Sequence, residues 1–381
     1  MGQISEVQQT LASAGRSKVV RPEGSDLIRS IKVIANTCIY MRLDGTAMGL
    51  SGDLDLEYVC CNACGSDSYS IYIQQEDRRY ATTPRYPFTL VKCEDCELIY
   101  LNPRPSQASL SAYYPPTFYS YRPSASEISP GGFARRLLTF FDYSFVRSRR
   151  AMLEKINLVK KYRKSPGRLL DVGCAAGEFL AAMKTSGWQV EGLDISLAMC
   201  EHVKREYGIT CYNEAVNDIS VPVNSFDVVT FWASMEHVPD PRGALRACKG
   251  ILREHGLVVI LVPNANSLEE KYLSRWDENA IDVPRHLYHF SPAVMKRLLS
   301  AEGFEVVAVK HHTLNAVDRT AVIACKFIDK VVGGRSVAAK TIRVTCRTVA
   351  TLAGDLISRC LGLFGRSHTF IVIGRKATQS T

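Results

Sequence analysis

Residues 169–177 read Leu169-Leu-Asp-Val-Gly-Cys-Ala-Ala-Gly177, and Val190-Glu-Gly-Leu-Asp194 follows closely. The first stretch is a buried apolar strand that ends in a turn of small residues and opens a helix over Glu178 to Lys184. The second is another strand, closed by a carboxylate. In an α/β sheet this places bare backbone N–H groups and an acidic side chain at the carboxyl ends of neighbouring parallel strands. Such folds hold nucleoside ligands there. Only Gly173 is in register with the dinucleotide fingerprint; Ala175 and Glu178 stand where its other two glycines fall. A dehydrogenase also needs a second nucleotide half, whereas Gly256 to Pro263 leads straight into a polar loop.

The surrounding residues narrow the choice. Ser225-Phe-Asp-Val-Val-Thr230 reads as a fourth strand, with the loop Met235-Glu-His-Val-Pro-Asp-Pro241 behind it. In order and spacing these stretches resemble the class I S-adenosylmethionine-dependent methyltransferases, particularly the UbiG-like branch, over roughly residues 150–310. The resemblance implies a doubly wound, mostly parallel seven-stranded sheet of Rossmann-like α/β class, with S-adenosylmethionine as cofactor. It places Asp171, Gly173, Ala175 and Gly177 around the methionine end and Asp194 on the ribose hydroxyls. Asp218 falls where the family offers a side chain to the adenine amino group.

Composition suits an enzyme with attachments. The chain has 381 residues, 46% hydrophobic and 22% charged, with a net charge of +9. That length exceeds one ordinary domain. Thirteen cysteines without an apolar leader of signal length point to a reducing cytoplasm.

Four of those cysteines form two knuckles, Cys61-Asn-Ala-Cys64 and Cys93-Glu-Asp-Cys96. Each spacing lets one tight turn aim two thiolates at a single ion, and four soft thiolates suit tetrahedral Zn²⁺. A closed four-thiolate site leaves no open coordination position, so its expected role is structural. Cys60 is the alternative register for the first knuckle. Strand-like segments at Tyr69 to Ile73, Thr89 to Lys92 and Leu98 to Leu101 can join the knuckles. UbiG-like enzymes with such a zinc module are associated with sugar or cell-envelope biosynthesis.

The chain then divides into a poorly ordered lead-in (1–57), with a helix near Leu27 to Ala35, and a zinc-ribbon-like module (58–105). A Pro-, Ser- and Tyr-rich linker or lid (106–132) precedes the methyltransferase core (133–315). A helical basic insertion (316–366) and the last core strand and tail (367–381) complete it. The insertion mixes apolar stretches with Lys340, Arg343, Arg347 and Arg359. A pair of helices lying on an anionic membrane is one reading; a dimer interface or a cap over the substrate is the other. The membrane reading would set the protein peripherally at the inner membrane surface. The oligomeric state is left open.

Methyl transfer is an in-line displacement, so the protein positions the nucleophile and removes its proton where needed. Glu236 and His237 follow the fourth strand, where the acceptor meets the methyl group. His237 is the candidate base, with Glu236 holding its ring. The competing reading has both residues simply tying the loop together. Some UbiG-like quinone enzymes bind a divalent ion through Glu-x-x-Glu-His here, but Ala233 replaces the first Glu. Pro284 to Pro292 carries Arg285, His286 and His289 on the loop entering a helix capped by Ser291, resembling the family's substrate-side wall. Arg285 is the candidate grip for a phosphate or carboxylate.

The expected reaction is methylation of a small-molecule or lipid- or sugar-linked acceptor in cell-envelope or secondary-metabolite biosynthesis. The alternatives are an RNA methyltransferase using the zinc module, and a non-catalytic scaffold. Against RNA stands the strand-four end Ala233-Ser-Met-Glu236 in place of Asn/Asp-Pro-Pro-aromatic, so no nucleic-acid partner is expected. Against the scaffold stand an intact Asp194 and an unfilled turn.

Overall fold

The computed structural model describes residues 31–34, 37–40, 55–77, 79–80, 83, 86–115, 143–267, 281–312 and 360–377, with isolated helical positions at 345–346, 349, 353 and 356. The central sheet contains β8 (Arg168–Val172), β9 (Gln189–Leu193), β10 (Thr210–Tyr212), β11 (Phe226–Trp232), β12 (Leu252–Pro263), β14 (Phe304–His312) and β15 (Thr369–Lys376). Its spatial order is β10-β9-β8-β11-β12-β15-β14. The first five strands run parallel, and β15 pairs antiparallel with both β12 and β14. The order reverses direction beside β8, so the carboxyl ends of β8, β9 and β11 open onto one crevice.

Strand residues alternate between two apolar layers. Leu169, Val228, Val259 and Ile373 face one core with α1 (Tyr143–Tyr162), α2 (Glu178–Thr185) and α3 (Leu197–Tyr207). Leu170, Val229, Ile260 and Val372 face the other, with α4 (Pro241–Ile251) and α5 (Pro292–Ala301). Burial on both faces explains why these strands read as continuous Val/Ile/Leu runs. Three helices start on side-chain caps: Ser196 accepts from the Met199 amide, Asp240 from Gly243 and Ser291 from Val294. Helix α2 instead starts on Gly177 in the left-handed region, without a side-chain cap.

The N-terminal segment forms a second sheet of β4 (Tyr69–Glu76), β5 (Pro87–Cys93) and β6 (Ile99–Leu101), with β3 (Leu56–Glu57) and β7 (Arg104–Pro105) paired beside it. Its fourth strand, β13 (Tyr288–His289), comes from the loop before α5. Phe88, Leu90, Tyr100 and Leu101 belong to the same buried cluster as Leu170 and Ile260. The module thus shares a core with the sheet.

Two sequence expectations change. The helix near Leu27 to Ala35 is replaced by a hairpin of β1 (Ile31–Ile34) and β2 (Thr37–Tyr40), as suits β-branched Ile31, Val33, Ile34 and Thr37. The start of the linker is packed: a helical turn at Gln107–Leu110 leads into a 3₁₀ turn at Ser111–Tyr113, and Tyr113 is fully buried. Residues 116–132 and most of 316–366 lie outside the described residues.

Candidate functional site

At the cofactor edge, the β8–α2 turn passes three times through the left-handed region, with φ of 75° at Gly173, 47° at Ala175 and 77° at Gly177. A Cβ on Gly173 would lie 2.5 Å from the Ser234 Cβ, and one on Gly177 would lie 2.6 Å from a Val203 methyl. Glycine is required at both. Ala175 tolerates its φ because Asp194 takes its amide: Ala175 N donates to Asp194 Oδ2 at 2.9 Å, and Ser196 N donates to Oδ1 at 2.9 Å. The Asp194 carboxylate therefore clasps the turn while keeping lone pairs for further donors. Burial holds its pKa above the usual range, opposed by these two amides.

Asp171 is buried and accepts the Thr230 hydroxyl at 2.6 Å. Burial pushes its carboxyl up to about 7. Lys155 faces Asp171 and Glu178 electrostatically, and its ammonium lies 5.0 Å from the centre of the Trp232 ring. Sequence reading missed Lys155, although it sits three residues after Met152 and four before Val159, on the apolar face of α1. Asp218 is exposed and ends a 3₁₀ turn (Val216–Asp218) beyond β10; the first residue of that turn, Val216, is buried.

At the acceptor edge, Glu236 and His237 lie in a 3₁₀ turn (Met235–His237) after β11. His237 Nδ1 is 2.9 Å from the Arg285 carbonyl oxygen and 3.1 Å from the Tyr114 hydroxyl. A carbonyl only accepts, so this contact is a hydrogen bond in the Nδ1–H tautomer, which leaves the Nε2 lone pair for chemistry. Burial pushes the pKa of His237 below its ordinary value; Asp282 and the Arg285 carbonyl pull against that. The His286 ring stands 4.8 Å from that of His237, and His289 stands 5.9 Å from His286. The sequence expectation thus brings His237, His286 and His289 to one place.

Two expected roles do not fit. Glu236 does not hold the His237 ring: neither of its buried carboxylate oxygens has a hydrogen-bond partner among the described residues, and its main-chain carbonyl accepts from Leu287 N at 2.9 Å. Burial pushes its carboxyl up to about 8. Arg285 is not available to grip an anion. It is fully buried, with donors to Asp77 at 2.7 and 2.9 Å, Asp282 at 2.9 Å, and the Tyr113 and Val283 carbonyls. All five of its N–H groups face inward. Asp77, Arg79, Tyr114 and Asp282 were not singled out as site residues from the sequence. They come from three separate stretches of the chain, around residues 77–79, 114 and 282, and no local motif links those stretches.

The knuckle cysteines converge. Cys61 and Cys96 Sγ are 3.3 Å apart, Cys64 and Cys93 Sγ are 3.5 Å apart, and all four lie within 4.8 Å of one another. A tetrahedral set of 2.3 Å Zn–S bonds needs sulfur–sulfur separations of about 3.8 Å. Cys60 is exposed and outside the cluster. Glu236, His237 and His286 form a second group whose donor atoms approach within 4.8 Å.

Comparison with known proteins agrees with this geometry. Residues 145–309 match the family described as methyltransferase domain. The ubiquinone biosynthesis O-methyltransferase of Neisseria meningitidis serogroup C is 28% identical over 166 residues, covering 40% of this chain and 70% of that protein. Its namesake in Burkholderia thailandensis is 25% identical over 194 residues, 45% of this chain and 84% of that protein. The Paraburkholderia phymatum enzyme is 34% identical over 105 residues, where the chain spans 45% of the relative's length. With its sheet order, glycine turn and strand-end carboxylate, the chain carries an S-adenosylmethionine-dependent methyltransferase domain over residues 145–309 and is similar there to the ubiquinone biosynthesis O-methyltransferases.

Proposed function

We propose that the chain methylates a hydroxyl group on a small-molecule or lipid- or sugar-linked acceptor, with S-adenosylmethionine as donor and His237 as general base. The carrying observation is the 2.9 Å approach of His237 Nδ1 to the Arg285 carbonyl oxygen, which favours the tautomer that offers Nε2 as a proton acceptor. The likeness to O-methyltransferases supports oxygen as the nucleophile. In this reading Asp194 accepts the ribose hydroxyls, the Gly173–Gly177 turn and Asp171 take the methionine end, and Asp218 meets the adenine. His286 and His289 line the acceptor wall. Calorimetric titration with S-adenosylmethionine tests the cofactor assignment. A screen of phenolic, nucleotide-sugar and lipid-linked hydroxyl compounds for methyl acceptance tests the reaction. No binding in the first, or no acceptor in the second while RNA added in parallel is methylated, would overturn this reading.

Cys61, Cys64, Cys93 and Cys96 are proposed to hold one structural Zn²⁺. The convergence of their sulfurs supports this, and the ion would relieve the crowding of four thiols. A second reading of the acceptor edge follows from Glu236, whose buried oxygens lack hydrogen-bond partners among the described residues. Glu236, His237 and His286 suit a divalent cation of the transition series, with His286 in place of the carboxylate lost at Ala233. Such an ion, when bound, polarises an acceptor oxygen. Activity that survives exhaustive chelation would exclude that reading and leave His237 as the base.

Membrane contact is supported by the C-terminal segment. Val349, Leu356, Leu363 and Phe364 are 61%, 65%, 85% and 78% exposed. Positions 349, 353, 356 and 360 are helical and spaced for one face. Arg343, Arg347, Arg359 and Arg366 accompany them. Vesicle flotation with and without anionic lipid tests this.

A further inference from the structure

The loop bearing the acceptor-side histidines is held largely from the N-terminal module. Tyr288 and His289 pair with Tyr100 and Ile99 as the fourth strand of the module sheet. Leu101 N donates to the Leu287 carbonyl at 2.9 Å. The same loop and module also share a group of four charges: Asp77 and Arg79 from the module, Asp282 and Arg285 from the loop. Arg285 bonds both oxygens of Asp77 and also Asp282, and Arg79 reaches Asp282 at 2.8 Å. The sum is neutral, and Asp77, Asp282 and Arg285 are at most 2% exposed. Asp77 is itself fixed by the Thr83 hydroxyl at 2.7 Å and the Arg79 amide at 3.0 Å.

A buried ionic group is weak evidence for stability, because desolvation offsets much of its attraction. What this one does is fix a place. The guanidinium of Arg285 is anchored on Asp77, and the carbonyl of the same residue receives the His237 Nδ1 proton. Without Asp77 the guanidinium loses both bonds of its bidentate pair, and Asp282 alone is left to face the charges of both Arg79 and Arg285. The peptide at 285 is then free to turn, and its carbonyl leaves His237. An imidazole without that acceptor reverts to the Nε2–H form preferred in water, which removes the lone pair from the acceptor side.

We propose that Asp77 is a positioning residue for His237. It acts through Arg285, so that the cysteine module sets the tautomer of the proposed base in the methyltransferase core. The consequence for catalysis rests on the reading of His237 as base; the tautomer itself does not.

The test is long-range ¹H–¹⁵N correlation on the full chain labelled at histidine, with His237 assigned by the signal lost in His237→Gln. Wild type should show His237 as the Nδ1–H form. Asp77→Asn should lower that fraction several-fold. Thr83→Val, which removes only the hydroxyl that holds Asp77, should move it the same way by less. Asn62→Ala is the control. It unties another module–core contact, in which Asn62 donates to Asp240 and accepts from the Arg242 amide, without touching Arg285. The proposal fails if wild-type His237 is Nε2–H, if folded Asp77→Asn keeps the wild-type tautomer, or if Asn62→Ala shifts it equally. Should Asp77→Asn not fold, Thr83→Val decides alone, and an unchanged tautomer there overturns the idea. Full turnover in His237→Gln would end the catalytic reading while leaving the tautomer result standing.

Discussion

The two edges of the crevice are built in opposite ways. On the side proposed for the cofactor, Asp171, Gly173, Ala175, Gly177 and Asp194 come from one strand–turn–helix–strand run, whose turn is tied to the second strand end by the bond from Ala175 N to Asp194. On the acceptor side, His237 is held by Tyr114 and by Arg285, which is in turn held by Asp77; these are contacts across 123, 48 and 208 positions of sequence. A locally encoded site can serve many acceptors unchanged. An acceptor site assembled from distant segments can be retuned by altering the module, with the cofactor site left alone. This division is a physical basis for a common cofactor with varied substrates.

Breaking the module should separate the edges most sharply. Cys93→Ser is expected to abolish binding of about one zinc per chain. Structural zinc contributes on the order of 10 kcal/mol or more to folding of small metal modules. Metal analysis with hydrogen exchange should show lost protection over residues 58–105 and 281–291, with S-adenosylmethionine affinity kept within a few-fold. A parallel collapse of cofactor affinity would mean that the two edges are one cooperative unit.

Next in size is His237→Ala. Positioned bases contribute about 10²–10⁴-fold, so kcat should fall by that order while cofactor binding persists. Melting curves on the same variant separate chemistry from packing, since a merely structural histidine would lower Tm and spare turnover.

Glu236 sharpens the contrast through pH. Folded, its carboxyl holds a proton to about 8, against an ordinary value of 4.5. Between those values the unfolded chain has released that proton and the folded chain has not. This contribution is therefore fully present below about pH 4.5 and is lost as pH rises toward 8. In chelator, Glu236→Gln should flatten the fall in stability over that window, by on the order of a few kcal/mol at pH 8. Identical urea midpoints for the two proteins across pH 5–8 would show that Glu236 is already ionised.

The smallest effect is expected at Asp194. Asp194→Ala removes the acceptor for two hydroxyls and should weaken S-adenosylmethionine by about 2 kcal/mol, roughly 30-fold in Kd. Calorimetry with unchanged affinity would detach the ribose from this strand end.

The sheet, its glycine turn and the cysteine knuckles were legible from the amino-acid order alone. Each is written in a short run where period, left-handed turns or paired cysteines leave little alternative: Leu169 to Gly177, Val190 to Asp194, Cys61 to Cys64 and Cys93 to Cys96. Tertiary structure decided the acceptor side. Arg285 reads from sequence as an anion grip because a lone guanidinium invites that reading; only folding brings it Asp77 and Asp282 and uses up its donors. Glu236 reads as the partner of its neighbour His237, but a 3₁₀ turn aims adjacent side chains apart, and the ring finds the Arg285 carbonyl instead. Local patterns carry backbone geometry, whereas the burial and partners of a charge depend on segments that the chain brings together only when folded.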